Sequence, residues 1–238
     1  MLGPYWSCKF KNGSWFSLNA SLNSQFDTVL AEYISGGLAD PARLLVQCHL
    51  ELNSSNHSWV RDLDILAGCE LDQSDGSELS DSDAMLEQIF GSSGDMSIDV
   101  EAELTTKEKP SDDFLTHSLA SFLGCDGKNI PWKTKVPGIK VHNIDTESGC
   151  EMSLLCIKAG MAMPTHSHEG REMTLVLAGG FSDGDGHYVR GDVAIAETGD
   201  DHKPVADLGE DCICLVVNDA PLRFKNPITR IISSILPN

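Results

Sequence analysis

The stretch GMAMPTHSHEGREMTLVLAGG, residues 160–180, carries two histidines in alternate positions, His166 and His168. On a strand, alternate residues share a face. Glu172 lies four residues past His168, beyond the Glu169-Gly170 turn, and can return to that face on the next strand. Downstream, Gly191-Asp192 opens a further strand, and His202 follows eleven residues after Gly191. Three imidazoles and one carboxylate suit zinc, iron, manganese, copper or nickel. The expected site is therefore His166, His168, Glu172 and His202 around one divalent transition metal, zinc first, then iron or manganese.

Outward from this stretch the pattern has period two and is rich in strand formers. Candidate strands are Ile139–His142, Glu151–Lys158, Met173–Ala178, Gly186–Val189, Asp192–Ala196, Lys203–Ala206 and Asp211–Val217. Short strands separated by Gly, Asp and Pro turns indicate an all-β sandwich or barrel. Near the motif, Leu154, Cys156, Leu175 and Leu177 read as inward-facing, which leaves Ser153, Thr174 and Arg171 as the nearby polar groups. Cys212 and Cys214 alternate on one strand and read as thiols packing the barrel, and Cys48, Cys69 and Cys156 as further buried thiols. His187 reads as a surface turn residue, and His117 and His142 have no partner at ligand spacing.

The first half of the chain has a different rhythm. Residues 1–22 read as an irregular extension with Trp6, Trp15 and Phe16 as anchors. Residues 23–92 read as a helical domain of four amphipathic stripes. These are Phe26, Val29, Leu30, Tyr33; Leu44, Leu45, Cys48, Leu52; Val60, Leu63, Leu66, Ala67; and Met85, Leu86, Ile89, Phe90. Asp40-Pro41 reads as an N-cap and first turn, and Gly68 as a stop. Residues 93–112 read as an acidic linker, and residues 113–238 as the metal-binding domain. The formal net charge is −19, from 17 basic and 36 acidic residues. Such a chain is repelled by phosphate backbones and anionic lipid, which argues against direct nucleic-acid or membrane binding. No apolar run reaches the roughly 18 residues of a membrane span, so the expected location is the cytoplasm.

The metal motif resembles that of the cupin superfamily, Gly-x5-His-x-His-x3,4-Glu-x6-Gly, with Gly160, His166, His168, Glu172 and Gly179 in place. The second cupin motif keeps Gly191, Gly199 and His202, but Glu197 stands at its proline position and Ala206 at its asparagine position. The implied fold class is α+β: a small helical module, then a C-terminal double-stranded β-helix of the RmlC-like jelly-roll kind. The segments Leu30 to Gly36 and Asp40 to Leu52 resemble the N-terminal domain of ChrR-type anti-sigma factors. Phe181-Ser182-Asp183, Asp211 to Leu215 and Pro221 to Phe224 are similar to that family's cupin. The resemblance implies a stress-response regulator that binds an extracytoplasmic-function sigma factor, with Leu30, Tyr33, Leu44 and Leu45 as the apolar surface.

It also implies a zinc site in the helical module, which this sequence lacks. His49 survives from that cluster, but its cysteine positions read Asn53 and Asn56 and its first histidine position reads Ser24. Asparagine and serine are poor zinc ligands, so no zinc is expected there. The rival reading is a cupin metalloenzyme of the dioxygenase kind with a vestigial helical module.

Overall fold

The computed structural model of the protein describes residues 5–9, 15–19, 25–76, 80–91, 113–147, 149–168, 170–219 and 222–223. The expected linker, residues 93–112, lies outside the described residues, as does Ser24. Where an irregular extension was expected, β1 (Tyr5–Lys9) and β2 (Trp15–Asn19) pair antiparallel, with Tyr5 opposite Asn19 and Lys9 opposite Trp15. The sequence held a signal for this pairing: Asn12-Gly13, a dipeptide favoured in tight hairpin turns, lies between the two segments.

Four helices follow: α1 (Gln25–Ile34), α2 (Asp40–Leu52), α3 (His57–Gln73) and α4 (Ser82–Gly91). Ala39 rather than Asp40 is the N-cap of α2, so Pro41 still falls in the first turn, where its missing N–H costs nothing. Helix α3 runs through Gly68, which nothing crowds, and ends at Gln73. A short α5 (His117–Leu123) is capped by the Thr116 hydroxyl, which accepts from Leu119 N–H at 3.3 Å, and closes on Gly124 at φ +65°. Glu51 of α2 adds a second cap: its carboxylate accepts the backbone N–H groups of His117 and Ser118 at 2.7 and 3.0 Å.

The C-terminal half is an antiparallel double-stranded β-helix. Its strands are β3 (Lys133–Val136), β4 (Ile139–Ile144), β5 (Glu151–Ile157), β6 (Ser167–His168), β7 (Glu172–Ala178), β8 (Gly180–Ser182), β9 (His187–Val189), β10 (Val193–Ala196), β11 (Val205–Ala206), β12 (Cys212–Asn218) and β13 (Leu222–Arg223). The larger sheet has the order β10-β7-β12-β5-β4-β3, and a three-stranded sheet has the order β11-β8-β9. Strand β6 pairs with β13.

The middle of the larger sheet, β7 and β12, is buried on both faces. Val176, Cys212, Cys214, Val216 and Ile157 point inward and pack with Phe181 and Ala206. Leu154, Met173, Leu175, Leu177, Leu215 and Val217 point outward, into one core shared with Val29, Leu30, Leu45, Val46 and Cys48 of the helices. This corrects the facing read from sequence: Leu154, Leu175 and Leu177 lie under the helices. Cys156 sits on that same outer face by alternation, while Ser153, Leu155 and Thr174 line the barrel cavity. The stripes on α1 and α2 thus meet the sheet. Leu30 and Leu45 are fully buried, Leu44 is buried, and Tyr33 packs half-buried against the same core. Of the four residues expected to face a partner, Leu30, Leu44 and Leu45 are covered by the apolar sheet face and Tyr33 lies half-buried at its edge.

Helix α4 is the opposite case. It is exposed along its length, with Met85, Leu86, Ile89 and Phe90 among the exposed large apolar side chains, joined by Leu71 near the end of α3. Cys48, Cys125, Cys150, Cys156, Cys212 and Cys214 are free thiols. Cys69, read as one more buried thiol, is disulfide-bonded. Cys212 and Cys214 face inward as expected, with Sγ atoms 3.5 Å apart. No helix among the described residues is long and apolar enough to cross a membrane.

Candidate metal centre

The barrel cavity is lined by apolar side chains such as Val141, Ile157 and Val216 and by the polar groups of His166, Glu172, Asp183 and His202. His166 and His202 are paired through their backbones, with N–H to carbonyl distances of 3.3 and 3.2 Å in the two directions. That pairing brings His166 Nε2 to 3.0 Å from His202 Nε2. Glu172, the first residue of β7, is opposite Asn218 of β12 and Ala196 of β10, and its Oε1 lies 3.8 Å from His202 Nε2. One donor atom from each of His166, Glu172 and His202 fits within 4.8 Å of the others. His168 lies next door on β6, opposite Leu222 of β13.

The outer nitrogen of His166 fixes its tautomer. His166 Nδ1 lies 2.8 Å from the carbonyl oxygen of Pro164. A carbonyl only accepts, so Nδ1 carries the proton and Nε2 presents a lone pair. His202 Nδ1 faces Asp183 Oδ2 at 3.5 Å. Two imidazole nitrogens and a carboxylate oxygen thus come together at one point. This is the arrangement of metal-binding histidines, whose second nitrogen donates to a carbonyl or carboxylate.

Electrostatics point the same way. Burial pushes the Glu172 carboxyl up to about 7, although the Thr174 hydroxyl and the Asn218 amide both donate to it and pull it back. Burial pushes His166 down to about 4, helped by the neighbouring His202 and opposed by its bond to Pro164. Burial thus disfavours the charged forms of both Glu172 and His166, and a divalent cation bound between them would favour the carboxylate and the neutral imidazole. Thr174 was among the polar groups expected near the motif, whereas Asp183 and Asn218 were not anticipated as members of the site. Asp183 comes from the strand β8 and its turn, and no spacing rule links it to His202.

The other histidines are accounted for. His187 is exposed and bonds Asp207 Oδ2 at 2.7 Å. His142 is half-buried on β4, and its pKa is lowered by burial, with Lys133 nearby. In the helical domain, Asn56 Nδ2 lies 3.0 Å from His49 Nε2, and Asn53 Oδ1 accepts the Ser55 N–H at 3.0 Å. The residues at the expected cysteine positions are thus engaged in hydrogen bonds, one of them with His49 itself.

Known proteins bear on both halves. A family model described as the ChrR cupin-like domain matches residues 121–222. The anti-sigma-E factor ChrR of Cereibacter sphaeroides is 30% identical over 206 residues, which is 87% of this chain and 93% of that protein. A chain in the crystal structure of Rhodobacter sphaeroides SigE in complex with the anti-sigma ChrR superposes with a TM-score of 0.65 at 30% identity, covering 81% of this chain and 96% of that one. An RmlC-like cupin protein from Ralstonia eutropha JMP134 matches 43% of this chain and 71% of that chain at 26% identity, with a TM-score of 0.38. With the helices and the barrel both aligned along nearly the whole of that relative, this chain belongs to the ChrR family.

Proposed function

We propose that this chain is an anti-sigma factor: its helical domain holds an extracytoplasmic-function sigma factor away from RNA polymerase, and its barrel holds a divalent metal as the sensing or stabilising part. The observation that carries the reading is its likeness to 96% of a chain solved with SigE. The metal reading is supported by the ligand atoms of His166, Glu172 and His202 lying within 4.8 Å of one another, with His168 proposed as the fourth ligand. A partner of RNA polymerase works where transcription does, so the location that follows is the cytoplasm.

The surface offered to the sigma factor is the exposed row of Leu71, Met85, Leu86, Ile89 and Phe90, in place of the buried Leu30, Leu44 and Leu45 with Tyr33. Exposed apolar rows of this size mark interaction sites, and a few large side chains carry most of the binding. Full-length protein immobilised on a resin tests this with the sigma factor of the same organism. The wild type retains it, and the pair Leu86→Asp and Phe90→Asp weakens retention by about 30-fold or more. Equal retention by the double variant overturns the surface, and no retention by the wild type overturns the function.

A further inference from the structure

His49, near the C-terminal end of α2, is 2% exposed and reaches out of its own domain. Its Nδ1 lies 2.7 Å from the carbonyl oxygen of Gly191, in the turn that leads into β10. Because a carbonyl only accepts, Nδ1 carries the proton. The Asn56 amide nitrogen only donates, so Nε2 is its acceptor. Both ring nitrogens are committed, and one neutral tautomer satisfies both partners. Phe26 of α1 meets the ring edge-on, with centroids 4.7 Å apart. Gly191 itself has φ +92°, and a Cβ there would come within 3.3 Å of Leu52 Cβ and 3.4 Å of Asn53 Cβ. A residue with a side chain would be strained at that φ and would need the end of α2 to give by a few tenths of an ångström.

The same turn is tied to the barrel from its other side. Gly191 N–H donates to the Val176 carbonyl at 2.9 Å, and Val176 N–H donates to the Asp192 carbonyl at 3.0 Å. Val176 belongs to β7, the strand that begins with Glu172, and β10 runs beside it until Ala196 stands opposite Glu172. Next to Glu172, Arg171 Nη2 reaches Glu32 Oε2 of α1 at 3.2 Å. The helices are therefore fastened to both ends of the strand pair that flanks the histidine–glutamate cluster.

We propose that His49 is a latch between the two halves of the molecule, a positioning residue through which occupation of the cluster in the barrel is felt by α2. Filling the cluster stiffens β7 and β10, and the hydrogen bond to Gly191 passes that stiffness to the helix. The coupling rests on the metal reading above, whereas the latch contact itself does not. Stiffening is a legitimate carrier of coupling when an observable reports it, and amide exchange is that observable.

Hydrogen exchange of the full-length chain, read by mass spectrometry with and without Zn2+, tests the latch. In the wild type, Zn2+ slows exchange in β7 and β10 and, by at least about threefold, in α2. In His49→Phe, which keeps an aromatic ring beside Phe26 and loses both hydrogen bonds, β7 and β10 still respond and α2 does not. His49→Leu, which likewise cannot reach the Gly191 carbonyl, gives the same pattern and serves if His49→Phe does not fold. An α2 that ignores Zn2+ in the wild type, or responds fully in the variants, overturns the latch. Absence of any response in β7 and β10 overturns the metal reading along with it, so the two failures are told apart.

Discussion

His49 and His202 both lie deep in this protein, one in each half, and their nitrogens keep different company. Each nitrogen of His49 faces a group of complementary kind, a carbonyl that accepts and an amide that donates. The inner nitrogens of the His166–His202 pair meet each other across 3.0 Å, with a buried carboxylate close by. Ligand-type residues therefore do not define a metal site. What separates the two is the other nitrogen: that of His49 already meets the Asn56 amide, whereas those of His166 and His202 turn to each other beside Glu172. The barrel therefore offers a candidate centre for a cation, and the helical domain has hydrogen bonds where the family resemblance implies zinc.

The largest expected effect breaks this comparison directly. Protein purified without chelator should carry close to one equivalent of transition metal. His202→Ala should fall below about a tenth of that, since removing one of so few ligands leaves too weak a site. His49→Phe should leave the metal content unchanged. Elemental analysis of the three proteins decides the matter, and parallel loss in both variants would mean that the two histidines serve one centre.

A second experiment sharpens the barrel side. In chelator, the buried Glu172 carboxyl is easier to keep protonated in the folded state, with a pKa of about 7, than in the unfolded chain. The raised value means that its contribution is fully present below about pH 4.5 and is lost as pH rises through about 7, on the order of 3 kcal/mol in all. Glu172→Gln stays neutral and should not show that loss between pH 5 and 8. His166, pushed down to about 4, contributes the opposite slope below about pH 6.5, in wild type and variant alike. Urea denaturation across this range separates the two, and saturating Zn2+ should restore the wild type at pH 8.

The smallest effect belongs to the helical side. Glu51→Ala removes the carboxylate that accepts two N–H groups at the start of α5. A lost cap costs roughly 1 kcal/mol. The metal content should not move, and denaturant midpoints measured with and without Zn2+ would show whether the loss is the same in both states.

Much of the site was legible because its chemistry is local. His166 and Glu172 lie within seven residues of each other, in a pattern that strand geometry converts into a shared face. Asp183 was not legible, since only the pairing of β8 with β9 and β11 sets it beside His202. The helices α1, α2 and α4 were readable from their stripes, but not what each stripe would meet. Leu30 and Leu45 look in sequence like Leu86 and Phe90, and only the presence of a sheet on one side of the domain sorts interior from surface. The facing of β7 was misread for a related reason. Its residues are buried on both sides, so hydrophobicity did not mark the cavity face, although Glu172 and Thr174 in alternate positions did.

That doubly buried strand has a consequence for how the molecule comes apart. Met173, Leu175 and Leu177 belong to the core of the helices as much as to that of the barrel. Neither half can melt without stripping apolar surface from the other. The unit of cooperativity is therefore larger than either half, and heating should give one transition where the order of elements along the chain suggests two. A fragment ending after α4 would leave behind a barrel with a raw aliphatic flank, and would itself lack the floor on which α1 and α2 stand. The boundary in the sequence and the boundary in stability fall in different places.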